Sequence, residues 1–156
     1  MKKIILALMI MTSAVFAAPN MAPDFSLTTT QGEKVSLSSY IKSQKPTLVY
    51  FTASWCPVCA KNWPSINTVY KEYKDKVNFV AISIDPTDTD DVLNKLAKKH
   101  DLEFPMVSGQ PKLMVDFGVR GQATTILVNK KGKITFMERG HMTLENYQEI
   151  LRDAIK

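Results

Sequence analysis

The chain has 156 residues, 45% of them hydrophobic and 22% charged, a balance that suits one globular domain with a packed core and excludes disordered and fibrous classes. Its formal charge of +5 drops to +3 without Lys2 and Lys3, too weak a basic balance to argue for a nucleic-acid partner. Two cysteines cannot build the disulfide framework on which small secreted domains rely.

The chain opens as an export signal. Lys2 and Lys3 form a positive start, residues 4–16 are apolar apart from Thr12 and Ser13, and small residues follow, so residues 1–17 read as a signal peptide and 18–156 as the mature domain. The alternative is an uncleaved membrane anchor, although the apolar run is shorter than the ~20 residues a span requires. Cleavage leaves no stable membrane insertion, since no later segment could cross a bilayer.

Residues 25–28 and 34–37 alternate around the turn signal Gln31 and Gly32 and predict a β-hairpin. "PTLVYF" (46–51) is a continuous apolar run, the pattern of a strand buried on both faces. Both cysteines follow in "SWCPVC". From 57 to 73, Cys59, Trp63, Ile66, Val69, Tyr70 and Tyr73 recur at helical spacing, with Lys61, Asn67, Lys71 and Lys74 outside the stripe. "VNFVAISI" (77–84) is a second buried strand, and residues 87–100 form a helix with an acidic first turn and a basic last turn. An extended piece at 104–107, a short helix at 111–117, strands at 124–129 and 133–138, and a final helix at 144–154 started by Thr143 complete one α/β domain.

Three readings compete for Cys56 and Cys59: metal clip, structural staple and redox centre. A bridge over two intervening residues restrains the unfolded chain little, which weakens the staple. Zinc needs about four ligands, and His100 and His141 are not paired with other ligands at metal spacing; both read as surface residues, and no metal is expected. A redox role fits better. Cys56 stands at a helix N-terminus, where unpaired N–H groups and the helix dipole stabilise a thiolate. Pro57 suits the first helical position, and the N–H groups of Val58 and Cys59 are free to face the Cys56 sulfur. Cys56 is then the attacking thiol and Cys59, one turn on and shielded, the resolving one. The acidic residues Asp85, Asp88, Asp90 and Asp91 lack calcium-loop spacing and read as helix caps. Lys130, Lys131 and Lys133 read as a solvated turn.

"APDFSLTTTQGEKVSLSSY", "TLVYFTASWCPVC", Pro64 and "FGVRGQATTILVNKKGKI" together resemble the thioredoxin-like thiol-disulfide oxidoreductases of the TlpA, ResA and cytochrome c maturation type, from about residue 23 to the C-terminus. The resemblance implies a thioredoxin-like fold, a central mixed sheet flanked by helices with the hairpin at its start, and dithiol exchange without a cofactor. It implies protein thiol or disulfide substrates, apocytochrome c among the candidates, with reduction as the direction. An upstream membrane thiol reductase, a periplasmic or otherwise exported location and a monomeric state also follow from it. Trp55, Pro57 and Val58 become supporting residues, with Trp55 packed beside the disulfide, and Gln122, Ala123 and Thr124 the substrate-binding loop; Trp63 is left as core.

Three departures stand out. The family's cis-proline before "TT" is Ala123 here, and the cost of a non-proline cis bond, roughly 2.5–4 kcal/mol, predicts a trans Gln122–Ala123 bond and altered docking. The carboxylates that relatives use to handle protons are replaced by Asn62 and Tyr50, which leaves Cys59 to be deprotonated by water, Tyr50 or substrate. Pro57 and Val58 differ from the Gly-Pro of thioredoxin. Two alternatives are weighed: a peroxiredoxin-like peroxidase, which needs a hydroxyl and a proline where Ala53 and Val49 stand, and a Sco-like copper assembly factor, which needs a histidine near Gln122 and a longer gap between cysteines.

Overall fold

The computed structural model describes residues 21–156, so the expected signal over 1–17 lies outside the described residues. β1 (Ser26–Thr28) and β2 (Lys34–Ser36) form the expected antiparallel hairpin. The hairpin ends earlier than its pattern suggests, because Leu37 opens a helix, α1 (Leu37–Lys42), that the sequence reading did not foresee. The cause is a cap made by two serines. The Ser39 N–H donates to Ser36 Oγ at 3.1 Å and the Ser36 N–H donates to Ser39 Oγ at 3.3 Å, a capping box lacking the usual acidic partner.

The remaining elements are β3 (Thr47–Thr52), α2 (Pro57–Tyr73), β4 (Asn78–Ser83), α3 (Asp90–His100), β5 (Met106–Val107), α4 (Pro111–Asp116), β6 (Thr124–Val128), β7 (Ile134–Arg139) and α5 (Leu144–Ala154). They build a five-stranded mixed sheet in the order β5-β4-β3-β6-β7. β3, β4 and β5 run parallel; β6 runs antiparallel to β3, and β7 to β6.

Side chains alternate across the sheet and divide the core in two. Leu48, Tyr50, Phe79, Ala81 and Leu127 pack with Trp63 and Ile66 of α2, Leu93 of α3 and Leu151 of α5. Val49, Phe51, Val80, Ile82, Ile126 and Val128 pack with the hairpin, α1 and α4 through Phe25, Val35, Leu37 and Leu113. Both faces are covered, which is why β3 reads as an unbroken apolar run and is buried at every position. Each large side chain so buried contributes about 1.5–3 kcal/mol.

Two residues outside the predicted apolar stripe of α2, Asn62 and Asn67, are nonetheless buried. Asn67 donates from Nδ2 to the Asp101 carbonyl at 2.8 Å and accepts the Glu103 N–H at 2.8 Å. It satisfies the turn after α3, where Asp101 has a φ of 52°, and a paired amide can be buried at little cost. Tyr70 and Tyr73, assigned to the stripe, are only half-buried.

The register then places the chemistry. β3 delivers the chain to residues 53–56 and α2, while Phe51 pairs with Thr124 at the start of β6. Residues 121–123, just before β6, are thereby brought opposite the N-terminus of α2.

Candidate active site

Cys56 is the N-cap of α2, with φ −79° and ψ 114°, and Pro57 is the first helical residue. The Cys59 N–H donates to Cys56 Sγ at 3.0 Å. Of the two N–H groups expected at the sulfur, it is the one that makes the bond. The two cysteines are joined as a disulfide with Cα atoms 5.2 Å apart. Both are buried, yet they differ in access: Cys56 lines a groove of about 290 Å³, and Cys59 does not.

One wall of the groove is Cys56, Pro57 and Val58; the other is Gln122, Ala123, Gly140 and the Arg139 side chain. Of the residues singled out by sequence beside the cysteines, Trp55 and Thr124 stand outside this lining. Trp55 is 59% exposed, and its indole reaches away to a carboxylate. Thr124 is buried and donates to the Gly121 carbonyl at 2.8 Å, holding the loop from beneath. A larger, mainly apolar cavity of about 370 Å³ lies between α5 and the β6–β7 hairpin and contains none of these residues.

The segment preceding Cys56 is fixed by two aspartates. Buried Asp88 accepts the Ser54 N–H at 2.8 Å, the Ser54 hydroxyl at 2.5 Å and the Ser83 hydroxyl at 2.6 Å. Asp85 accepts the Trp55 indole N–H at 2.5 Å together with the Thr87 N–H and hydroxyl at 2.8 and 2.7 Å. The Thr87 N–H foremost, then its hydroxyl and the Trp55 indole, hold the Asp85 carboxyl below the usual carboxylate range. This corrects the reading of both aspartates as helix caps. Thr89 caps α3, and only Asp90 and Asp91 occupy its acidic first turn.

Gly109 secures that arrangement from behind. Its N–H donates to the Asp88 carbonyl at 3.0 Å, and a Cβ there would stand 2.0 Å from the Asp85 carbonyl oxygen. Only glycine permits so close an approach.

On the facing wall, Ala123 adopts a φ of 59°, and all peptide bonds among the described residues are trans. A left-handed conformation costs an L-residue roughly 1–2 kcal/mol. It is held by the Gly140 N–H, which donates to the Ala123 carbonyl at 2.8 Å.

Behind Cys59, Asn62 is fully buried and its hydrogen bonding is saturated. Nδ2 donates to the Tyr50 hydroxyl at 3.1 Å and to the Gly140 carbonyl at 2.8 Å; Oδ1 accepts the Met142 N–H at 3.1 Å and lies 2.8 Å from His141 Nδ1. An amide oxygen only accepts, so that ring nitrogen carries the proton. His141, read from sequence as a plain surface residue, is exposed but tied to this network. Tyr50 is corrected as well: burial foremost, with neighbouring Tyr147, raises its hydroxyl pKa far above neutrality, so it does not act as a base towards Cys59. The signal in the sequence was the spacing, since Asn62 lies three residues after Cys59 and on the same helix face.

A sheet of this topology with a Cys-X-X-Cys pair at a strand-to-helix junction defines a thioredoxin-like thiol-disulfide oxidoreductase. The chain matches the AhpC/TSA family over residues 19–137 and belongs to it. It is 33% identical over 131 residues to the thioredoxin-like protein YneN of Bacillus subtilis, covering 83% of this chain and 76% of that one. Identity to the thiol-disulfide oxidoreductase ResA of Bacillus cereus is 30% over 132 residues, covering 84% and 75%. Among solved structures, StoA from Bacillus subtilis is similar with a TM-score of 0.71 and 28% identity over 84% of this chain and 98% of that one. A putative thiol:disulfide interchange protein DsbE from Chlorobium tepidum gives 0.77 and 26% over 91% and 100%. No helix among the described residues is long and apolar enough to cross a membrane.

Proposed function

We propose that this protein is an exported reductant of disulfides in other proteins, with residues 1–17 as its signal and 18–156 as the working domain. The observation that carries the reading is the asymmetry of the pair: Cys56 lines the groove and its sulfur accepts a helix N–H, whereas Cys59 is shielded behind it.

In the reduced enzyme the Cys56 thiolate attacks one sulfur of a substrate disulfide, forming a mixed disulfide and expelling the other sulfur as a thiolate. Cys59 then attacks Cys56 Sγ, closes the Cys56–Cys59 bond and releases the first substrate sulfur as a thiol. Two electrons pass from the dithiol to the substrate. The proton of Cys59 goes to water or to the departing substrate thiolate, since the groups behind it are a saturated amide and a phenol held neutral by burial. Trp55, Pro57 and Val58 support the attacking thiol, while Gln122, Ala123 and Thr124 shape the wall that receives the substrate. A membrane thiol reductase restores the dithiol, and exported proteins with cysteine pairs, apocytochrome c among them, are the substrate class.

The test is a trapping experiment with Cys59→Ser. A stable mixed disulfide through Cys56 is expected, with turnover falling to the uncatalysed rate in Cys56→Ser and a Cys56 pKa well below the ~8.5 of a free thiol. An unperturbed Cys56 that traps nothing would overturn the reading, and the reduction potential of the pair decides the direction of electron flow.

A further inference from the structure

We propose that Arg139 is a specificity-determining residue, selecting substrates with an acidic residue beside the reacting cysteine. The proposal rests on the exchange reading above. Among the described residues, Arg139 is the one charged residue lining the groove that Cys56 lines; its companions Val58, Gln122, Ala123 and Gly140 are neutral.

Its guanidinium is held in place. Nε donates to the Gln122 carbonyl at 3.4 Å, and the group lies so closely over Gly121 that a Cβ there would be 3.0 Å from Nη2 and 3.2 Å from Cζ. A side chain at 121 would push the guanidinium off this wall.

Arg139 also lacks a carboxylate partner among the described residues, where the ion pairs join Lys71 to Glu103, Lys112 to Asp116 and Lys156 to Asp153. The carboxylates near the cysteines are already occupied, Asp85 by Trp55 and Thr87, Asp88 by Ser54 and Ser83. The cation at the groove is therefore available to a ligand, and a guanidinium offers a carboxylate a two-pronged hydrogen-bonded fit.

The backbone strengthens the case. The Gly140 N–H is already given to the Ala123 carbonyl, so that donor is not open to an extended peptide beside this loop. The fitting occupant is a cysteine-bearing peptide with Asp or Glu next to the cysteine. Because Arg139 is exposed, the preference is moderate and weakens with salt, of order fivefold at low ionic strength.

The test uses the reduced mature chain and three disulfide peptides identical except for Asp, Asn or Lys flanking the cysteine. The expected order of kcat/KM is Asp, Asn, Lys, with about a fivefold ratio of Asp to Lys carried mainly by KM and shrinking as salt is added. In Arg139→Gln the ratio collapses towards one, in Arg139→Glu it inverts, and Arg139→Lys restores part of it. A general change in Cys56 nucleophilicity moves all three rates together and leaves the ratio intact, so an unaltered ratio in the Gln and Glu variants overturns the proposal. If the wild type fails to reduce even the Asn peptide, the exchange reading falls and this proposal falls with it.

Discussion

The two walls of the groove are held by different means. On the helix side, residues 54–56 are anchored by carboxylates from the loop after β4: Asp88 through Ser54, Asp85 through Trp55. On the opposite side, the carbonyls of residues 121–123 accept from the Thr124 hydroxyl, Arg139 Nε and the Gly140 N–H in turn, with Ala123 left-handed. The first arrangement fixes a sulfur against a helix N-terminus and tolerates little change. The second is a turn whose Gly121 and Ala123 are buried while Gln122 and Arg139 face the groove, so substitutions at the latter two alter what docks more than whether the enzyme folds. Chemistry and selectivity thus reside on elements held by different kinds of contact.

Breaking the carboxylate-anchored wall should have the largest effect. Asp88→Ala strands the buried hydroxyl and N–H groups that the carboxylate now accepts, at a cost of about 3 kcal/mol and roughly 10 °C in Tm, measured by thermal unfolding of the oxidised protein. A loss under about 2 °C would mean that Asp88 is not the anchor.

Gly109→Ala probes the same wall indirectly. The new methyl group collides with the Asp85 carbonyl, so a loss of about 1–3 kcal/mol is expected, with a change in Trp55 fluorescence as Asp85 is displaced.

On the facing wall the effects should be smaller and of either sign. Ala123→Gly relieves the left-handed strain but adds chain entropy, for a net gain of about 0.5 kcal/mol. Ala123→Pro, which installs the proline that the family resemblance implies at this position, cannot keep a φ of 59° and should cost at least about 1 kcal/mol. Urea unfolding of the pair tests both signs, and a stabilising proline would show that the loop readily adopts another shape.

The smallest expected effect is electrostatic. Asp85 has a lowered folded-state pKa, so its contribution to stability is complete above the unfolded value of about 3.9 and is lost as pH falls through the lower folded value. Trp55 emission should therefore titrate below about pH 4 and should lose that transition in Asp85→Asn.

Much of this was legible in the chain itself. The helix over Pro57–Tyr73, the position of Cys56 at its cap and the helix over Leu144–Ala154 follow from apolar spacing and cap chemistry, which act between residues a few positions apart. α1 escaped because its cap uses two serines instead of a serine and a glutamate. Asp85 and Asp88 were misread because their partners Trp55 and Ser54 lie about thirty residues away, across the gap between β3 and β4. No periodicity carries such a pairing.

The sequence by itself determined the α/β class of the fold, that its only cysteines meet at a helix start, and that Asn62, Tyr50 and Ala123 stand where the family resemblance implies other groups. Those properties depend on local spacing and residue type. Only the tertiary structure decided that Asn62 joins Tyr50, Gly140, Met142 and His141, that two aspartates grip the segment before Cys56, and that Arg139 shares the groove of the attacking sulfur. Each of those contacts joins residues distant in the chain, and they meet because β3 pairs with β4 on one edge and β6 on the other.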